Sequence, residues 1–199
     1  MPRSVDPALE DLTPSTDVPP GLYPRLLGSS WLQLAEPVRR AHAAKSTLRG
    51  QFRIALGRSR VARILAAVLR LPRPNRAAQT RLVIAARGDR QRWRRTFAER
   101  HLDTWQYQIG DGELAERIGV LEFRFRLVAS DGSLVFRQRS AFVVLGSAHL
   151  RLPAAWAPRI EAREDPAGAH QVRVHVHVML PAVGPLLTYE GTLDLQDHG

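Results

Sequence analysis

Cysteine is missing from all 199 residues, which excludes disulfides, thiolate metal sites and cysteine nucleophiles together. Long apolar runs are missing too. The longest, Ile64 to Leu69, is far short of the roughly 20 residues a membrane-spanning helix needs. The N-terminus has no apolar leader and mixes prolines with Asp6, Glu10, Asp11 and Asp17, so the expected compartment is the cytoplasm. Lysine is nearly absent: Lys45 stands alone, and 28 of the 29 basic residues are arginine. GC-rich codon usage produces such a skew, which discounts the net charge of +10 as a sign of function. Catalytic signatures are absent as well, with no G-x-S-x-G, P-loop or H-E-x-x-H.

The charge that is present is unevenly placed. Residues 39–100 hold 18 basic and 2 acidic side chains, whereas residues 1–38 hold 2 and 5 and residues 101–199 hold 9 and 12. A basic middle third attracts anions of several kinds, from phosphorylated ligands to acidic lipid headgroups. Nucleic acid is disfavoured, because the aromatics lie on apolar strand faces rather than between exposed arginines.

Residues 1–20 read as a mobile tail and 21–197 as one α+β domain. Tyr23 to His42 carries apolar residues at helical spacing, with Pro37 bending or splitting it. Leu48 to Leu56 alternates as a half-buried strand. Ser59 then caps a helix over 59–70, whose stripe of Val61, Ile64, Leu65, Val68 and Leu69 is expected to pack on the sheet. From Arg81 onward, strand follows strand through short turns at Gly88-Asp89, Gly110-Asp111-Gly112 and Asp131-Gly132. Residues 146–158 read as a Pro-containing connection. Some eight to ten strands in this pattern predict a large curved antiparallel sheet or partly open barrel, with one or two covering helices near the N-terminus.

Several motifs need weighing. Gly110 to Ala115 spells G-x-G-x-x-A, but a strand follows where a dinucleotide site requires a helix, so it reads as a hairpin turn and no cofactor is expected. His175 and His177 alternate with valines and read as solvent-facing rather than as metal ligands, and no metal is expected. In Trp93-Arg94-Arg95-Thr96-Phe97 an inward face would carry Trp93, Arg95 and Phe97. A buried guanidinium needs Glu116 or Glu190 as partner, or else the anionic end of a ligand. Trp105 and Tyr107, together on one face of the next strand, complete the candidate wall.

The order of Leu22-Tyr23-Pro24-Arg25-Leu26-Leu27-Gly28, Arg49-Gly50, Leu71-Pro72-Arg73, Trp93-x-Arg95-x-Phe97, Phe125-Arg126-Leu127, Leu152-Pro153 and Tyr189-x-Gly191 resembles the bacterial family catalogued as domain of unknown function 4166. The likeness runs from about Leu22 to Leu195 and also takes in Glu116-Arg117 and Ala157-Pro158-Arg159. It carries no catalytic residues. It implies that similar domains occur behind a nicotinamide-nucleotide-binding domain of saccharopine-dehydrogenase type, hence an accessory role beside an oxidoreductase. The leading expectation is a non-catalytic module binding a small hydrophobic or amphipathic ligand, with Arg95 at its polar end and Trp93, Phe97, Trp105 and Tyr107 as walls. The accessory redox role, and peripheral contact of the Arg-rich segment with anionic membrane, stay open beside it.

Overall fold

The computed structural model describes residues 21–43, 45–69 and 71–196, and the tail read over 1–20 lies outside them. Two short helices, α1 (Leu22–Leu27) and α2 (Glu36–Ala41), flank a 3-10 segment (Gly28–Gln33). Strand β1 (Lys45–Leu56) then leads to α3 (Arg60–Val68). Ten strands follow: β2 (Asn75–Arg87), β3 (Arg90–Phe97), β4 (Arg100–Ile109), β5 (Glu113–Ile118), β6 (Leu121–Ser130), β7 (Ser133–Leu145), β8 (Ala148–Arg151), β9 (Arg159–Gly168), β10 (Gln171–Leu180) and β11 (Gly184–Leu195). No helix among the described residues is long and apolar enough to cross a membrane.

The sheet closes on itself, which corrects the expectation of an open or partly open one. The strands run β6-β5-β4-β3-β2-β1-β11-β10-β9-β7, and β7 pairs back to β6. The pairings are antiparallel throughout, from Leu121↔Val143 at one seam to Leu48↔Leu195 at another. Closure removes both sheet edges, which would otherwise expose unpaired backbone groups. Ten strands also enclose more space than the side chains of an eight-stranded barrel fill. β8 stands outside the ring. It pairs only with the end of β7, where β7 has left β9, inside the segment read as a connection. Where β7 and β9 part, the Gln138 amide spans the gap: Nε2 donates to Pro158 O, and Oε1 accepts from Ile160 N.

β1 is twelve residues long, about 40 Å of extended chain. It starts beside α2 and ends beside α3, so the helices mark opposite ends of the barrel. At the first end, α1, the 3-10 segment and α2 form a plug, with Leu22, Tyr23, Trp31, Leu34 and Val38 buried. The plug is latched by Ala35 N donating to Gly132 O and by Tyr23 OH donating to Gln106 Oε1 at 2.7 Å.

At the second end, α3 lies against β11 by an unexpected face. Ser59 Oγ does accept from Ala62 N as the cap. The fully buried side chains, however, are Ala62 and Ala66, packed around Leu186, with Leu65 of the anticipated stripe half-buried against them. Val61, Ile64, Val68 and Leu69 of the anticipated core stripe are 44–71% exposed. The reason is proximity. A Cβ on Gly57 would stand 1.8 Å from Pro185 O, so the chain enters α3 too close to β11 for anything larger than alanine. The β2 strand also starts earlier than anticipated, because its first inward residues, Ala78 and Thr80, are too small or too polar to mark an apolar face.

Candidate functional site

Inside the ring lies a cavity of about 440 Å³. Its base is aromatic: Trp93, Phe125 and Phe136 rest above the plug, with the Tyr23 ring 6.0 Å from Trp93. Its upper walls reach the α3 end through Leu69, Leu71, Val120, Leu121 and Leu186. A larger groove of about 860 Å³ lies at the β7–β9 seam and shares Phe136, Ile160 and Ala162 with the inner cavity. The groove is an open depression edged by arginines. The inner cavity is deeper, mainly apolar and supplied with a few convergent polar groups, as small-molecule sites are.

Those polar groups gather midway along the barrel. Trp93, Arg95 and Phe97 share the inward face of β3, as their spacing predicts, and all three line the cavity. The Arg95 side chain is only 14% exposed and pairs with Glu116 at 3.2 Å. Of the two carboxylates considered, Glu116 is therefore the partner. Glu190 faces outward, 4.0 Å from Arg53. Arg95 also donates to Thr104 Oγ1 at 3.0 Å and stacks on Trp93 at 4.8 Å. Burial opposes the guanidinium's charge, but Glu116 outweighs it and raises the pKa of Arg95 above its usual value. Both of its hydrogen bonds to described residues leave from Nη1, so Nε and Nη2 are free to meet another acceptor.

Tyr189 enters from β11 and packs against Phe97 and Phe52, with ring centroids 5.3 and 5.7 Å away. A Cβ at Gly191 would stand 2.1 Å from Gln51 O and 2.8 Å from the Phe52 ring, so glycine there lets β1 and its Phe52 ring approach. Burial pushes the Tyr189 phenol up to about 12, which keeps it a neutral O–H at physiological pH. Glu164 of β9 also lines the cavity and lies 2.6 Å from His42 Nε2. His42 is fully enclosed, its ring 4.0 Å from that of Tyr23, and its Nδ1 has no hydrogen-bond partner among the described residues.

Trp105 and Tyr107 do not belong to this wall. Register sets Trp93 opposite Thr104 and Arg92 opposite Trp105, so β4 turns Thr104 and Gln106 inward and its two aromatics outward. The polar pair faces in because each member has a partner there: Arg95 for Thr104 and Tyr23 for Gln106. Outside, arginines cover the aromatics, Arg92 over Trp105 at 5.8 Å and Arg90 over Tyr107 at 5.0 Å. Tyr107 OH donates to Glu122 Oε2 at 2.6 Å, and that carboxylate is sealed on the barrel's outer face with Arg124 beside it. Burial, with Glu122 adding to it, moves the Tyr107 phenol up to about 12.

Glu164, Tyr189 and Thr80 line the cavity, and His42 pairs with Glu164, although none of the four was expected at the site. A signal existed for Glu164, since the alternation of Ile160 and Ala162 with Arg159, Glu161 and Arg163 continues onto it. His42, at the end of α2, offers no such period. Gly110 to Ala115 forms the β4–β5 turn and the start of β5. His175 is exposed, 3.6 Å from Glu190.

A closed antiparallel barrel, plugged at one end and hollow within, is the class these features define. The profile of the family described as "Domain of unknown function (DUF4166)" matches residues 34–193, and the chain belongs to that family. No curated protein matches. Among solved structures, the chain is similar to a protein of unknown function from the DUF3598 family of Nostoc punctiforme, with 13% identity and a TM-score of 0.49. That match covers 76% of this chain, which spans 47% of the Nostoc protein's length.

Proposed function

We propose that the barrel interior is a non-catalytic binding site for one small amphipathic molecule. Its apolar body would lie against Phe52, Phe97 and Val176, and its acceptor end, a carbonyl or carboxylate, against Arg95. One observation carries the reading. A cavity of about 440 Å³, within the usual range of small-molecule sites, contains a guanidinium whose Nε and Nη2 are uncommitted. Glu116 and Trp93 hold that guanidinium in place, so a ligand would meet a preorganised donor.

A fluorescent fatty acid with a dansyl group at its far end tests this. The expected result is saturable binding of one probe per chain, with tryptophan-to-dansyl energy transfer that is reduced in Trp93→Phe. The variant Arg95→Met/Glu116→Met removes both charges at once and is expected to weaken the carboxylate probe at least tenfold. Unsaturable binding, or equal binding by the double variant, rejects Arg95 as the anchor.

A further inference from the structure

The open end of the barrel carries a second pattern. Nine large apolar side chains are exposed among the described residues, and eight of them lie at this end, Leu32 being the exception. Val61, Ile64 and Val68 project from α3, Leu69 from its C-cap, Val120 from the β5–β6 turn and Trp156 from the β8–β9 connection. Leaving an aliphatic side chain in water forgoes the free energy of its burial, and a cluster of them marks a contact surface.

The charge there is one-sided. The described residues of segments 57–74, 98–99, 119–120, 146–158 and 181–183 hold five arginines (Arg58, Arg60, Arg63, Arg73 and Arg151) and one acid, Glu99, a net +4. At the other end, residues 21–43 and the four hairpin turns hold three arginines and four acids (Glu36, Asp89, Asp111 and Asp131), a net −1. A molecule polarised in this way turns its cationic end toward an anionic plane. A helix with an apolar face flanked by arginines, beside an exposed tryptophan, matches the headgroup boundary of a bilayer.

We infer that the crown formed by α3, Val120 and Trp156 docks the barrel mouth-down on an anionic lipid bilayer. α3 lies in the interface through Val61, Ile64 and Val68, while Arg60 and Arg63 meet the phosphates. Leu69 and Val120 belong both to the crown and to the cavity lining, so docking sets the mouth against the lipid. That a docked barrel exchanges its ligand with the bilayer rests on the binding reading above; docking itself does not.

The test is flotation of the protein with phosphatidylcholine vesicles, with and without phosphatidylglycerol, at low and high salt. Flotation is expected only with phosphatidylglycerol and is expected to weaken as salt rises. Ile64→Asp/Val68→Asp replaces exposed residues, leaves the fold and the interior probe binding intact, and is expected to abolish flotation. Arg60→Glu/Arg63→Glu is expected to weaken it by about tenfold or more. Brominated acyl chains are expected to quench tryptophan fluorescence, with the quenched component lost in Trp156→Phe. The inference is overturned if the protein stays in solution with anionic vesicles at low salt. It is equally overturned if the aspartate variant floats as well as the parent, or if the crown serves only to join two copies of the chain without vesicle binding. Loss of interior probe binding with flotation retained would sink the cavity reading alone.

Discussion

The two ends of the barrel are built on opposite rules. At the plugged end, large side chains are buried on short helices and tied by long-range hydrogen bonds: Tyr23 to Gln106, and His42 to Glu164. At the open end a longer helix fully buries only alanines, half-buries Leu65 and leaves Val61, Ile64 and Val68 exposed. One end is organised for stability. At the other, the close seat of α3 on β11 takes alanines at its centre, so Val61, Ile64 and Val68 are left facing solvent.

Breaking the plugged end is expected to have the largest effect. Tyr23→Ala removes a fully buried ring that contacts His42, Trp93 and Phe136, at a cost of about 3–5 kcal/mol in denaturant unfolding. Val68→Asp at the open end is expected to stay within about 0.5 kcal/mol of the parent. Equal effects at the two ends would erase the contrast.

Between the ends, Arg95→Met alone strands the Glu116 carboxylate in the interior and is expected to cost about 3 kcal/mol. Arg95→Met/Glu116→Met removes the stranded charge and is expected to recover most of that stability, as chemical denaturation would show. A double variant no more stable than the single one would mean the pair itself holds the barrel together.

A smaller effect probes the tight seat of α3. Ala66→Leu is expected to cost about 1–3 kcal/mol by overpacking against Leu186. A neutral outcome would mean that the helix can rise from β11.

The smallest concerns the outer wall. Burial works against the Asp103 carboxylate, but Arg92 and Arg94 outweigh it and hold its pKa below the usual value. A depressed pKa means stabilisation that is present above the unfolded value of about 3.9 and lost as pH falls through the lower folded value. The pair is a third or more exposed, so Asp103→Asn is expected to cost under about 1 kcal/mol at pH 7, with the gap to the parent closing in acid.

Much of this was legible from alternation. Phe52 and Ile54 against Arg53, and Phe123 and Phe125 against Arg124, showed which way the strands face, and Trp93-x-Arg95-x-Phe97 was correctly turned inward. Two features defeated the same rule. On β4 the apolar residues lie outside because register with β3 and two specific hydrogen-bond partners draw Thr104 and Gln106 inward. On α3 most of the stripe, Leu65 excepted, points outward because Gly57 brings the backbone against Pro185, a distance that periodicity does not encode. Closure of the ring depends on β1 pairing with β11, from opposite ends of the described chain, and on β7 passing over β8 to pair with β9, partnerships that no local pattern reveals.

Native mass spectrometry of the freshly purified chain addresses the central claim most directly. A single lipid-sized adduct per chain is expected, retained under gentle ionisation and missing from Val176→Trp, in which an indole occupies the cavity. A bare polypeptide mass, together with no uptake of the dansyl fatty acid, would contradict the account.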